Sequence, residues 1–251
     1  MISVIVCSRD DTKFSMVNAM YRRLCGGASL EVIRIPDAKG MSEGYNRGIF
    51  LSRGEILIFC HDDIEILAVD FYERLLGHME HADVIGIAGT TRLCSGRWDS
   101  AGPPYLYGQV AHPNPKNGYF ELNIWSVPTR RVLGMQAMDG LFLCCQRDCA
   151  LQLRFDEQVF RNFHFYDIDF TYRAALAGYR LAVCNDFNVI HLSQGNWDKA
   201  WAEDEHRFAQ KHQSTLIPYP KPPQRSTLVA VPNREHLFEL MHPPHWDQKA
   251  L

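Results

Sequence analysis

The chain has 251 residues, 46% of them hydrophobic, which is enough for a sizeable core in one large α/β domain or two small ones and excludes disorder as the default. Its 26 basic and 29 acidic residues give a formal net charge of −3 with no run of Lys and Arg, so nucleic-acid binding is not expected. No apolar stretch reaches membrane-spanning length, which leaves peripheral contact as the only membrane association the composition allows.

Met1 to Cys7 is apolar, short and without a basic leader, so it reads as a first strand rather than a signal peptide, with the strand proper at Ile2 to Cys7. Asp11 to Leu24 carries apolar residues at helical spacing and stops at Gly26-Gly27. A strand from Glu31 to Ile35 ends at Pro36, and Ser42 is the expected N-cap of a helix running to Leu51. Glu55 to Cys60 has no alternation, the pattern of a strand covered on both faces. A helix from about Val69 to Glu80 and a strand from Val84 to Ala88 continue the series. Gly89 to Arg131, rich in Gly, Pro, Asn and Tyr, breaks it and predicts long loops or a small antiparallel insertion. Regularity returns with a strand at Gly140 to Gln146, a helix from Tyr166 to Ala177, and strands at Arg180 to Cys184 and Asn188 to His191. An amphipathic helix from Asn196 to about His212 precedes a Pro-rich tail with no assignable structure. Cys7, Cys25, Cys60, Cys94, Cys144, Cys145, Cys149 and Cys184 sit mostly in apolar runs without CxxC spacing, which predicts reduced core residues and a cytoplasmic location.

The alternation of strands and helices predicts an α/β fold, a mostly parallel (mixed) sheet with helices on both faces. Ligands bind such sheets beyond the carboxyl ends of the strands, which singles out Ser8-Arg9-Asp10, Pro36-Asp37-Ala38 and His61-Asp62-Asp63. Two carboxylates at a strand end can divide the work on a nucleoside diphosphate, one holding a hard cation and the other accepting ribose hydroxyls, although Asp is equally common in plain turns. His191 ends another apolar strand and could complete a mixed nitrogen and oxygen donor set suited to Mn²⁺ or Mg²⁺, or be a structural histidine. Asp167 and Asp169 open a helix, where the dipole favours carboxylates, and either could serve as a general base.

The stretch from Pro36 to Ile66 resembles the nucleotide-sugar-binding half of family 2 glycosyltransferases, through Asn46-Arg47-Gly48, Gly54-Glu55 and the DxD-like His61-Asp62-Asp63. A second block, from Phe155-Asp156-Glu157 through Tyr166-Asp167-Ile168-Asp169 to Ala177-Gly178, resembles that family's acceptor side, and Val189-Ile190-His191 resembles its late metal-binding histidine. The resemblance covers roughly residues 1 to 195 and implies a GT-A fold with a Rossmann-like nucleotide-binding half in residues 1 to 90, an acceptor-side half in 91 to 195, and an appended segment, 196 to 251, of unassigned role.

It further implies an inverting transfer from a nucleoside-diphosphate sugar to a hydroxyl of a saccharide or glycoconjugate. Asp63 and His191 would bind the metal, and Asp167 would be the base with Asp169 as rival. Ser8, Arg9, Asp37, Asn46, Arg47, His61, Asp62, Asp139 and Gly140 would contact the donor. Tyr166 stands where the family has a Glu, and with Trp98 it is expected near the acceptor. Trp98, Tyr105, Tyr107, Tyr119 and Trp125 supply aromatic faces of the kind that stack on sugars. Two rival readings are a metal-dependent phosphohydrolase built on His61-Asp62 and a catalytically inactive sugar- or nucleotide-binding descendant of the fold.

Overall fold

The computed structural model describes residues 1–125, 129–193, 198–217, 226–243 and 246. In chain order the strands and helices are β1 (Ile2–Cys7), α1 (Asp11–Leu24), β2 (Leu30–Ile35), α2 (Met41–Leu51), β3 (Ile56–Cys60), β4 (Ile64–Ile66), α3 (Phe71–Met79), β5 (Val84–Gly86), β6 (Ala88–Thr90), β7 (Leu106–Pro113), β8 (Phe120–Trp125), β9 (Arg131–Leu133), β10 (Ala137–Met138), β11 (Phe142–Gln146), α4 (Arg147–Leu153), α5 (Tyr166–Leu176), β12 (Leu181–Cys184), β13 (Val189–His191), α6 (Lys199–Lys211), β14 (Thr227–Val231) and α7 (Arg234–Met241). The expected Asn196 start of the sixth helix lies outside the described residues, as does part of the Pro-rich tail.

A first sheet runs β2-β1-β3-β11-β5-β12-β9. It is mixed: β2, β1 and β3 are parallel, as the short β–α–β units require, and β11 enters antiparallel between β3 and β5. Alternate side chains face opposite layers. Val4 and Val6 pack with Tyr21 of α1 and Phe71 of α3, while Ile5 packs with Tyr45 of α2 and Phe170 of α5, so helices cover both faces as expected. Fully buried side chains such as Phe59 and Phe71 each contribute about 2 kcal/mol by leaving water.

The predicted strand Val84 to Ala88 is divided at Ile87, where the chain leaves the first sheet and enters a second. This second sheet runs β10-β6-β7-β13-β4 and continues from β7 through β8 to β14. The segment read as loops or a small antiparallel insertion is therefore the middle of a sheet: β7 pairs with β8 along most of its length and with β6 and then β13 in turn. The tail beyond α6 supplies β14 and α7, which close the core around Leu122, Ile190 and Leu237.

Two start signals differ from expectation. Gly40, not Ser42, caps α2, with extended backbone and no side-chain bond. A Cβ at Gly40 would collide with the carbonyl oxygens of Arg161 and Asn162, so the loop before α5 can lie directly on the helix start only with glycine there. Asp10, one of the residues singled out at strand ends, is the N-cap of α1, accepting from the Thr12 and Lys13 amides at 2.8 and 3.0 Å. All eight cysteines are free, and no described helix is long and apolar enough to cross a membrane.

Candidate active site

The carboxyl ends of β1, β2 and β3 lie level, because Cys7 pairs with Ile35 and Val6 with Cys60. This register gathers Ser8 and His61-Asp62-Asp63 at one edge. Ser8 Oγ donates to Asp62 Oδ2 at 2.7 Å, fixing that carboxylate beside the turn after β1. Lys13, from the first turn of α1, places its ammonium 3.6 Å from Asp63 and 3.9 Å from Asp62.

Immediately after Asp63 the chain turns into β4, which pairs antiparallel with β13 so that His191 stands opposite Ile64. The Leu192 amide donates to the Asp63 carbonyl at 2.9 Å, and His191 Nε2 lies 3.3 Å from Asp63 Oδ1. His61 completes the group: one ligand atom from each of His61, Asp63 and His191 can be chosen so that all lie within 4.8 Å of one another. Two imidazoles and a carboxylate in this spacing fit a divalent transition ion such as Mn²⁺ better than Mg²⁺, which prefers an all-oxygen shell. Burial would raise the Asp63 pKa, but hydrogen bonds from His191 and Ser193 and the nearby imidazoles hold it well below the usual carboxylate range. Burial lowers the pKa of His61, and His191 lowers it further, so the ring favours the neutral, ligating form.

The other side of the cleft is built by β10, the following turn and α5. His61 Nε2 lies 2.9 Å from the Tyr166 hydroxyl, which donates to the Gly140 carbonyl at 3.2 Å. Tyr166 thus orients the histidine. It lines the cavity, with its hydroxyl hydrogen-bonded to His61 and Gly140. The Gly140 amide donates to Asp167 Oδ2 at 2.7 Å. A Cβ on Gly140 would overlap the Tyr166 hydroxyl and the Asp167 methylene, so only glycine lets α5 approach this turn. Burial and the adjacent Asp139 push the Asp167 carboxyl up to about 7, against the lowering by backbone amides. Phe165, just before α5, holds a left-handed backbone at φ 61°, a strained conformation of the kind kept at functional sites.

Asp169, the rival base, faces the opposite way. Its carboxylate is fully buried and binds Lys211 at 2.6 Å, Arg173 at 2.8 Å and His212 at 2.8 Å, and it does not line the cleft. Asn46, expected at the donor, spends its amide on the Phe155 carbonyl and amide and on Glu157, tying α2 to the segment before α5. Arg47 pairs with Asp37 at 2.6 Å and Glu43 at 3.1 Å on the outer surface of α2. These contacts clasp α2 to the segment before α5 and to the turn after β2. Arg9 donates to the Ala38 carbonyl at 3.0 Å, bridging the ends of β1 and β2. His78 is bound to the buried Asp186 and lines a separate cavity with His81, so neither joins the His61 group.

Between the metal-type cluster and Asp167 a cavity of about 350 Å³ opens, bounded by His61, His191, Asp139 and Asp167 and by tryptophans 98, 125 and 201. Sequence reasoning did not group His61 with Asp63 and His191, and it did not bring Lys13, His112 or Trp201 to this region. His61 carried a signal, its place in the triplet; the others are recruited by tertiary contacts alone.

A family model described as "Glycosyltransferase like family" matches residues 3–215, and the chain belongs to that family. The glycosyltransferase resemblance read from the sequence is borne out at this level. Among solved structures, GalNAc-T7 with UDP, GalNAc and Mn²⁺ is 14% identical with a TM-score of 0.48, over 80% of this chain and 44% of that one. The mannosyltransferase PcManGT from Pyrobaculum calidifontis, in complex with GDP-Man and Mn²⁺, is 13% identical with a TM-score of 0.48, over 88% of this chain and 65% of that one. The chain spans less than two thirds of either. A comparison with curated proteins gave no match.

Proposed function

We propose that this chain is an inverting glycosyltransferase of GT-A type that moves a sugar from a nucleoside-diphosphate donor to an acceptor hydroxyl with the help of Mn²⁺. The observation that carries this reading is the grouping of Asp63 with His61 and His191, two histidines that line one cavity with Asp167 near the carboxyl edge of the parallel strands. His61, Asp63 and His191 would hold the ion, whose charge would offset that of a departing diphosphate. Asp62, held by Ser8, would accept ribose hydroxyls, and Asp37, just past the neighbouring strand, would contact the base.

Asp167 is the base. A carboxyl with a pKa of about 7 is ionised in half the molecules at neutral pH and binds a proton far more readily than a free aspartate, which suits removal of a proton from an attacking hydroxyl. Asp139 acts on it by charge and accepts the Trp98 indole N–H at 3.2 Å and the Leu141 amide at 3.0 Å. The free cysteines are in keeping with a reducing, cytoplasmic setting.

The test is a thermal-shift series with UDP, GDP, CDP and dTDP, each with Mn²⁺ and with EDTA, followed by assay of the matching nucleotide sugars. A ligand at a hundredfold excess over its Kd stabilises the fold by about 2.7 kcal/mol. Stabilisation that needs both nucleotide and Mn²⁺ is expected; no shift with any pair would sink the reading.

A further inference from the structure

The cavity beside Asp167 has one aromatic wall and one polar wall. Trp98 and Trp125 meet edge to face with centroids 5.1 Å apart, and the Trp98 indole is locked by its hydrogen bond to Asp139. Trp201, from α6, reaches the same space and packs on Phe165 at 5.3 Å. The polar lining includes Asp139, Asp167, His112 and His164 and the ion-paired Arg97 and Asp99. His112 Nδ1 lies 3.1 Å from the Ser193 carbonyl, so the tautomer that donates there leaves Nε2 as an acceptor.

These two walls restrict the occupant. A lipid chain would suit the tryptophans but would strip water from carboxylates and an imidazole without replacing their hydrogen bonds. An anionic group would meet the carboxylates of Asp139 and Asp167, with the Arg97 charge already paired to Asp99 at 2.8 Å. A pyranose has an apolar C–H face and a rim of hydroxyl donors, and so meets both walls at once. We propose that the Trp98–Trp125 pair is the platform of an acceptor subsite for a neutral saccharide, with its reactive hydroxyl directed to Asp167. This rests on the glycosyl-transfer reading, and it adds the acceptor class and the residues that select it. Trp98 is a positioned wall, Trp125 the face free of catalytic contacts, and Trp201 ties the subsite to α6.

The experiment is calorimetric titration of the full chain, loaded with Mn²⁺ and the nucleoside diphosphate that stabilises it most, with methyl glucoside, methyl galactoside, methyl mannoside, lactose and cellobiose, and separately with farnesol. At least one saccharide binds, Trp125→Ala weakens it about tenfold and Trp125→Phe by about threefold or less, while the Mn²⁺–nucleotide thermal shift is unchanged in both variants. The retained shift shows that the variants are folded. Saccharide affinity equal in Trp125→Ala and wild type, binding of farnesol alone, or no saccharide binding by a chain that does bind Mn²⁺ and nucleotide would overturn the subsite and leave the glycosyl-transfer reading standing. Failure of the wild type to bind any nucleotide with Mn²⁺ would bring down both.

Discussion

The two sides of α5 carry one aspartate each and treat it in opposite ways. Asp167 and Asp169 are two residues apart, about 200° around the helix, so they must face different surroundings. Asp167 turns to the cleft, where burial and Asp139 raise its pKa to about 7. Asp169 turns to α6; burial would raise its pKa, but His212, Arg173 and Lys211 lower it. Burial beside a carboxylate pushes one aspartate up, as a general base requires, while cations make the other a brace.

The largest effect that sharpens this contrast is on turnover. Asp167→Asn should lower transfer by about 10²- to 10⁴-fold with Mn²⁺–nucleotide binding kept, the range for losing a general base; a steady-state assay showing unchanged turnover removes Asp167 from the role. Asp169→Asn should instead destabilise the fold by about 3 kcal/mol, since it leaves buried cations without their partner, while the folded fraction keeps its nucleotide affinity. Denaturant titration checks this, and wild-type stability would contradict the brace.

The pH dependences should carry opposite signs. Asp167 has a folded pKa above its unfolded one, so its ionisation costs stability from about pH 4 upward and fully above about pH 7. Asp167→Asn should therefore raise Tm at pH 8 and leave it unchanged at pH 3.5. The folded pKa of Asp169 is lowered, so its contribution is present above the usual carboxylate range and fades as pH falls below it. Thermal melts of both variants across pH 3.5–8 give the comparison, and parallel curves would break it.

Smaller effects are expected from neighbours of the cleft face. Tyr166→Phe removes the hydroxyl that orients His61 and should weaken Mn²⁺ binding about tenfold by calorimetry. Asp139→Asn removes the adjacent charge and should move the acid limb of the pH–rate profile below about 7. An unmoved limb would mean that burial alone sets the Asp167 pKa.

Much of this arrangement was legible in residues. The apolar runs ending at Cys7, Ile35 and Cys60 fixed three parallel strands and hence the edge where His61-Asp62-Asp63 falls. Ile64–Ile66 escaped notice because three residues show no period, yet this strand sets His191 against Asp63. Gly89 to Arg131 looked irregular because its strands are interrupted by glycines and prolines, although β7 joins three other strands. For Asn46-Arg47 a short motif gives composition without direction, and the fold adds that the asparagine is turned toward Phe155.

The pairing of β4 with β13 has one more consequence. Asp63 and His191 come from distant parts of the chain, and a slip of one residue between those two short strands would turn the imidazole to the other face. If, as proposed, this set holds Mn²⁺, it is a gauge of correct assembly: an unfolded or misregistered chain has no comparable cage, and the ion should select the properly closed molecules from a refolding mixture.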